Sequence, residues 1–407
     1  MSNSRTLQAF YAFVALRWLR LTGALWILYL LHVGWSLWQV GIAEAAFHAV
    51  SFAASVPTGI FADRVGRHRS LLLGLLIGAV APPMEYLLAP HGVALGALAI
   101  GFGALGWSFI DGADQALLHD LSRGLPEGSR AFARLYGRMD AISLLSGAAA
   151  APLGGWLVLS YGWIYPYACQ AALTLLAIAP LLMLPAGPAR LSGPGQPGGS
   201  GPERRATSLR LAYAELRSTP GLLGLVLFGA SLGVVATSNH LYAQSSLVAK
   251  GETVLAATAV IGLSSLLAAL SSALAHRLPA RRPASLLRAG SLALAILIAA
   301  VGPARGPAAP LAYAGSDAVE GGVDVLYAAE LHRTVPDALR ATMVSVPQAL
   351  FSLGMIAIFP LAGWAMGSLG VSRVYPALGL LLAFATLFTL QEARPAAKSG
   401  HDRRPLP

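Results

Sequence analysis

The sequence predicts an all-α integral membrane protein of twelve transmembrane helices in two pseudo-symmetric six-helix bundles. Three observations predict it. Of 407 residues, 56% are apolar and only 11% charged, against roughly 25% charged in soluble domains. Apolar runs of spanning length, about 17–25 residues each, recur along the whole chain. The second six runs repeat residues of the first six at a near-constant offset.

The twelve spans fall at about 10–33, 38–62, 70–89, 94–117, 139–160, 163–185, 220–244, 253–276, 285–303, 308–330, 341–366 and 373–391. The opening residues, MSNSRTLQAF, lack a short apolar region followed by a small-residue cleavage site, so span 1 reads as a retained helix. The net charge of +10 does not call for nucleic acid. With the N-terminus inside, every Lys and Arg except Lys250, Arg305 and Arg373 lies on or near the cytoplasmic side, the positive-inside pattern. Both termini are then cytoplasmic. The chain divides into a six-helix bundle over 1–185, a cytoplasmic linker over 186–219, a second bundle over 220–392 and a cytoplasmic tail over 393–407. Gly, Pro and Ser make the linker flexible, and its part 208–217 suits an amphipathic surface helix. Cys169 is the only cysteine and lies within a span, which leaves no disulfide framework.

The repeat aligns Asp114–Ala131 with Asp324–Ala341, pairing Asp114 with Asp324, Asp120 with Glu330, Arg123 with Arg333, Pro126 with Pro336, Glu127 with Asp337 and Arg130 with Arg340. Pro152 to Trp156 matches Pro360 to Trp364, and Tyr165-Pro166 matches Tyr375-Pro376. A duplicated six-helix unit in a membrane places a binding site near the midplane between the halves.

After span 2 the chain reads G-I-F-A-D-R-V-G-R-H-R, with Gly59, Asp63, Arg64, Gly66, Arg67 and Arg69 at the fixed positions. This resembles the signature loop of the major facilitator superfamily, Gly-x-x-x-Asp-Arg-x-Gly-Arg-(Arg/Lys), and six spans, a basic linker and six more agree with it. Gly59 and Gly66 suit close approach and unusual dihedrals in a short turn. Asp63 suits a helix N-terminus, which the resemblance identifies as that of span 11, near Ala341. The resemblance also pairs Arg67 with Asp114 or Asp120, implies gate roles for Asp114, Asp120, Asp324 and Glu330, and places spans 1, 4, 7 and 10 around the cavity. A worn copy of the loop runs from Ala275 to Arg281, with His276 in place of the acid. The surrounding residues, V-P-T-G before the loop and G-A-D-Q-A-L-L-H-D-L at 112–121, resemble a bacterial, drug-exporter-like branch. That branch often has an acid where this chain has Ser55, and a serine where it has Asp111. Gly147, Pro152, Gly154 and Gly155 resemble half of the exporter signature on span 5, and they serve equally for tight packing.

Charges inside spans are costly, roughly 2.5–3.5 kcal/mol each on insertion scales, and so face cavities or partners. Asp317, Glu320 and Asp324 fall at i, i+3 and i+7 on one face of span 10, too close for all three to ionise. Asp317 and Glu320 are therefore candidates for carrying a proton or meeting a cation; Asp111 and Asp114 form a similar pair on span 4. Glu44 and His48, at i and i+4 on span 2, make either a proton site or a buried hydrogen-bonded pair. Arg17 and Arg20 snorkel to the inner interface, or else Arg20 neutralises a cavity acid or meets an anion. Glu85, beside Pro82 and Pro83, reads as interfacial. Asn239, His240, Tyr242 and Gln244 form a polar patch on span 7, at the cavity mouth or simply at the helix end.

No phosphate-cradling Gly-x-x-x-x-Gly-Lys-(Ser/Thr), His-Glu-x-x-His or Cys-x-x-Cys occurs, so neither direct ATP drive, a metal nor a cofactor is implied, and no enzyme nucleophile stands out. The expectation is a proton-coupled secondary transporter of the inner membrane that exports a lipophilic or cationic small molecule by alternating access. Proton-linked uptake and a non-transporting membrane protein are the alternatives. Its partners are a small-molecule substrate, protons and the lipid bilayer, and the family implies a monomer.

Overall fold

The computed structural model describes residues 3–122, 128–185, 219, 221–277, 283–335 and 340–390. The linker with its 208–217 segment, the 393–407 tail and part of the repeat alignment (Arg123, Pro126, Glu127, Pro336 and Asp337) lie outside the described residues, as do the side chains of Arg130, His276 and Arg340.

Every regular element among the described residues is helical. Ten helices are long and apolar enough to cross a membrane. The other two spans of the predicted twelve miss that criterion for physical reasons. Span 10, Ala308–Thr334, carries too many charges. Span 1 is broken into Asn3–Trp18 and Trp26–His32 by a run of turns. Gly23 N–H reaches Arg20 O and Leu25 N–H reaches Thr22 O, which leaves other carbonyls of the run to find partners, as backbone at membrane depth must. Gln244 of span 7 donates to Gly23 O at 3.1 Å. Leu21 O lies where a Cβ on Gly154 would stand, 2.2 Å from it, so only glycine fits there.

Span 2 is Leu37–Val65, entered through a capping box of Ser36 and Gln39. Span 3 is Arg67–Leu88. Span 4 is split into Val93–Ile110 and Ala113–Ser122, because Gly112 takes a left-handed φ of 77° open to glycine without steric cost. Span 5 is Gly128–Tyr161, and span 6 comprises Ile164–Leu176 and Ile178–Leu182. The second half continues with Leu222–Ala249, Val254–Leu274, Pro283–Val301, Ala308–Thr334, Arg340–Leu369 and Val371–Thr389 as spans 7 to 12.

The duplication survives in the packing. Span 2 packs on 4, 3 on 4, 3 on 6 and 1 on 5; in the same relation 8 packs on 10, 9 on 10, 9 on 12 and 7 on 11. The halves meet through spans 2 with 11 and 5 with 8. Leu, Ile and Phe side chains such as Leu159, Ile296, Leu311 and Phe388 point outward, exposed, as a lipid-facing surface requires. The repeat-matched Trp156 and Trp364 are both exposed, an arrangement typical of interfacial aromatic belts.

The seal between the halves lies away from the signature sequence. A Cβ on Gly41 would meet the Pro360 Cα at 2.5 Å, and one on Gly363 would meet Leu37 O at 2.2 Å. Gly155 abuts Thr258, Gly262 abuts Ala148 O, and the His48 ring packs edge-on against Phe351 at 5.2 Å. By contrast, Ser55, Val56, Pro57 and Gly59, on the signature side of span 2, are exposed. The molecule is therefore closed at the face opposite the signature and open on the signature side. Gly154 and Gly155, read from sequence as half of an exporter motif, here serve close helix packing.

Candidate functional site

Two polar clusters occupy the space between the spans, one in each half. In the first, Arg17 and Asp114 form an ion pair with side chains only 7% and 9% exposed. That burial rules out snorkelling for Arg17 and gives Asp114 a partner on span 1 in place of a loop arginine. Asp114 also accepts the Gln115 N–H at 2.7 Å at the start of the helix that follows the span 4 break, where a carboxylate is favoured. The Arg17 guanidinium lies 5.4 Å from the Trp18 ring and 5.2 Å from Trp107, and that of Arg20 lies 5.3 Å from the same Trp107 ring. Arg20 is exposed and meets no carboxylate among the described residues. Beside these groups opens a cavity of about 280 Å³ whose wall includes Trp18, Trp107, Asp111, Tyr136 and Asp140. Apart from Ser265 of span 8, its lining comes from spans 1, 4 and 5, whereas the family resemblance had placed spans 1, 4, 7 and 10 around the cavity.

In the second half, spans 7, 8 and 10 converge on Asp317, which is 4% exposed. Ser264 Oγ donates to Asp317 Oδ2 at 2.6 Å. His240 Nδ1 lies 3.6 Å from the same oxygen and 2.9 Å from the Tyr313 hydroxyl. Asp317 Oδ1 has no hydrogen-bond partner among the described residues. On the residues immediately before these, Asn239 Nδ2 donates to Ser316 Oγ at 3.0 Å. The span 7 patch is thus not a helix end: His240 and Asn239 face span 10, Tyr242 donates to Phe359 O, and Gln244 ties span 1. The three acids of span 10 share one helix but not one environment. Asp317 is buried, Glu320 half-buried and Asp324 exposed.

Glu44 and His48 are both buried, with Nε2 and Oε1 3.3 Å apart, at the seam between the halves. Glu85 accepts the Tyr167 hydroxyl at 3.1 Å, inside an aromatic cluster with Tyr29 and Tyr86. Near the sealed face, Lys250 donates to Val301 O at the end of span 9, where a cation is favoured; burial lowers its pKa.

At the signature, the expected loop shrinks to one residue. Helix continues through Gly59 and Asp63 to Val65, Gly66 turns with φ 109°, and the next helix starts at Arg67. Nothing among the described residues comes within 4 Å of a Cβ at Gly59, so close contact with them does not demand glycine there. Arg67 pairs with Asp120 and donates to Ala116 O at 2.5 Å, fastening span 3 to span 4. Glu330, the repeat mate of Asp120, instead takes Arg333 of its own helix at 2.6 Å. Asp63, Arg64 and Arg69 are exposed, and the first side chains of span 11, to which the resemblance assigned Asp63, lie outside the described residues.

Asp140, Ser264 and Tyr313 were missed in the sequence. Each sits in a span whose pattern reads as membrane helix, and only the packing brings them to the clusters. No group of His, Cys, Asp or Glu able to hold a metal occurs among the described residues.

A pseudo-duplicated pair of six-helix bundles, sealed at one face and open at the other, defines a secondary transporter, and comparison with known proteins gives its family. The profile of the Major Facilitator Superfamily matches residues 9–346, and the chain belongs to that family. It has the multi-pass membrane fold of that transporter family. Among curated proteins it is similar to the enterobactin exporter EntS of Citrobacter koseri, 29% identical over 218 residues, which is 51% of this chain and 47% of that protein. The EntS of Salmonella typhi is 28% identical over a stretch of the same length. The chain spans about half the length of these relatives. Among solved structures, a bacterial homologue of the human lysosomal transporter Spinster, in an inward-facing and unoccupied conformation, aligns with TM-score 0.75 and 17% identity over 95% of this chain and 96% of that one. A D-xylose–proton symporter aligns with TM-score 0.70 and 15% identity over 95% and 96%. At such identities the likeness is one of fold.

Proposed function

We propose that the protein is a proton-coupled exporter of a lipophilic or cationic small molecule, working as a monomer in the bacterial inner membrane with both termini and the 186–219 linker in the cytoplasm. The observation that carries this reading is Asp317. A carboxyl group held by Ser264 and His240 inside the second bundle is a group whose proton occupancy can follow the side to which the bundle opens. Export is supported by the relatives' names and by the basic signature side, which reads as cytoplasmic. The two halves rock about the central space. In the state described, cargo has access from the signature side; in the other, Asp63 meets the start of span 11 and shuts that side. Glu320, Asp324 and the Glu44–His48 pair are the groups a proton could reach next.

Cells expressing the chain and preloaded with a fluorescent organic cation test this. Energised cells should lose the dye faster than cells lacking the protein, and a protonophore should abolish the difference. Asp63→Asn should slow that efflux severalfold with little change in the half-saturating dye concentration, because it alters the gate and not the cargo site. Dye retention equal to the control, or efflux indifferent to the protonophore, would sink the proposal.

A further inference from the structure

We infer that a column of bound water inside the second bundle carries protons between Asp317 and the sealed face, by way of Asn239, Ser246 and Tyr375. This rests on the reading of Asp317 as the proton carrier and gives that proton its outer path. Glu320 and Asp324 follow Asp317 on the signature side of span 10.

The outer part of span 7 buries polar side chains that its neighbours do not satisfy. Asn239 is 0% exposed and Ser246 1%, yet Asn239 Oδ1 and Ser246 Oγ have no hydrogen-bond partner among the described residues. The same holds for the hydroxyl of Tyr375 on span 12, a side chain 0% exposed, and for Asp317 Oδ1 on span 10. Folded interiors leave few such atoms, and each one calls for a bound water or ion.

These four atoms belong to one path. Asn239 and Ser246 are seven residues apart on one face of span 7, about 10 Å along its axis. At the inner end, Asn239 holds Ser316, the residue before Asp317. At the outer end, Ser246 Oγ lies beside the Tyr375 hydroxyl without a hydrogen bond between them, and the charge of Asp317 reaches that hydroxyl. Between the ends, the same face presents buried Ala243, which brings only a methyl group. Roughly two or three waters at ordinary hydrogen-bond spacing bridge that length. The hydroxyls of Ser246 and Tyr375 both donate and accept, as water does, whereas a metal ion would leave their hydrogens unmet.

The outer end is stoppered in the state described. Lys250 lies one turn beyond Ser246 and donates to Val301 O. The next residue, Gly302, packs so closely that a Cβ on it would stand 2.8 Å from the Tyr375 Cβ. A cation across the mouth of the column opposes the entry of a proton. Two residues before Ser246, Gln244 ties span 7 to Gly23 of the other half. Parting of the halves at this face breaks that tie and frees the end of span 7. The column is therefore shut while cargo has access from the signature side.

X-ray hydroxyl-radical footprinting of the full chain in detergent, which oxidises side chains beside bound water, tests the column. Tyr375 and Tyr242 are both 0% exposed, but the Tyr242 hydroxyl is taken by Phe359 O and its ring stacks on Phe359. Tyr375 should be oxidised at least severalfold faster than Tyr242. Equal rates, or oxidation of Tyr375 that sodium ions suppress, would overturn the inference. Tyr375→Phe keeps the ring and removes an oxygen that no side chain holds, so the fold loses no contact. In vesicles it should slow cargo accumulation driven by a pH gradient severalfold and leave counterflow unchanged, and Ser246→Ala should do the same. A full driven rate in both variants would also overturn it. Footprinting involves no pH gradient, so a dry Tyr375 leaves proton-driven export standing. Transport indifferent to pH with Tyr375 oxidised would leave the water and sink the proton reading.

Discussion

Asp317→Asn is expected to exchange cargo across a membrane while no longer concentrating it against a pH gradient. The side chain is 4% exposed and its Oδ2 already serves Ser264 at 2.6 Å, with His240 Nδ1 3.6 Å away. Asparagine keeps the shape and the acceptor for Ser264, so the helices have no reason to part. It cannot gain or lose the proton. One proton per cargo yields about 1.4 kcal/mol for each unit of pH gradient, enough for roughly tenfold accumulation. In reconstituted vesicles the variant should fall to no accumulation, while counterflow of labelled for unlabelled cargo continues. Undiminished accumulation would move the proton to Glu320, or to Glu44 and His48.

The second large effect concerns the seal. Gly41→Val and Gly363→Val each put a branched side chain where backbone of the other half now lies, 2.5 Å from Pro360 Cα and 2.2 Å from Leu37 O at the Cβ alone. Backbone cannot swing aside as a flexible side chain can, and overpacking of this kind costs about 1–3 kcal/mol. The cost falls only on the state sealed at this face, since the opposite state parts these helices. Each substitution should therefore shift the resting population toward the other state by roughly five- to a hundredfold and slow the cycle. Spin labels at Leu37 and Trp364 should report a longer separation in Gly41→Val than in the unaltered protein. An unchanged distance would mean that the seal is held elsewhere.

Much of this architecture was legible in the sequence. The apolar runs gave the spans, and the duplicated Asp114/Asp324 and Asp120/Glu330 pairs gave the two bundles. Arg67 and one acid of span 4 were matched through the family resemblance. Partners drawn from spans distant in sequence were not legible. Arg17 looked like an interfacial residue because its neighbours are apolar, yet its pair, Asp114, lies 97 residues on. Ser264 is an ordinary small polar residue in an apolar helix until span 10 sets Asp317 against it. Two helix breaks had local signals. The Asp111-Gly112 dipeptide is a turn sequence, and Thr22-Gly23 follows Arg20 in a stretch too polar to run on unbroken. Length-based reading passed over both, since an apolar run of spanning length implies a continuous helix only when nothing inside it needs the backbone.

The most direct test of the central claim is the direction of proton movement during transport. Vesicles with the signature side outward and an acidic lumen, loaded with a fluorescent pH reporter, should accumulate an added organic cation and lose luminal acidity as they do so. With the gradient reversed, they should expel preloaded cation and draw protons in. The account predicts that cargo and proton always move in opposite directions, and that Asp317→Asn abolishes both movements together. Cargo and proton entering or leaving together, or cargo accumulation with no change in luminal pH, would contradict it.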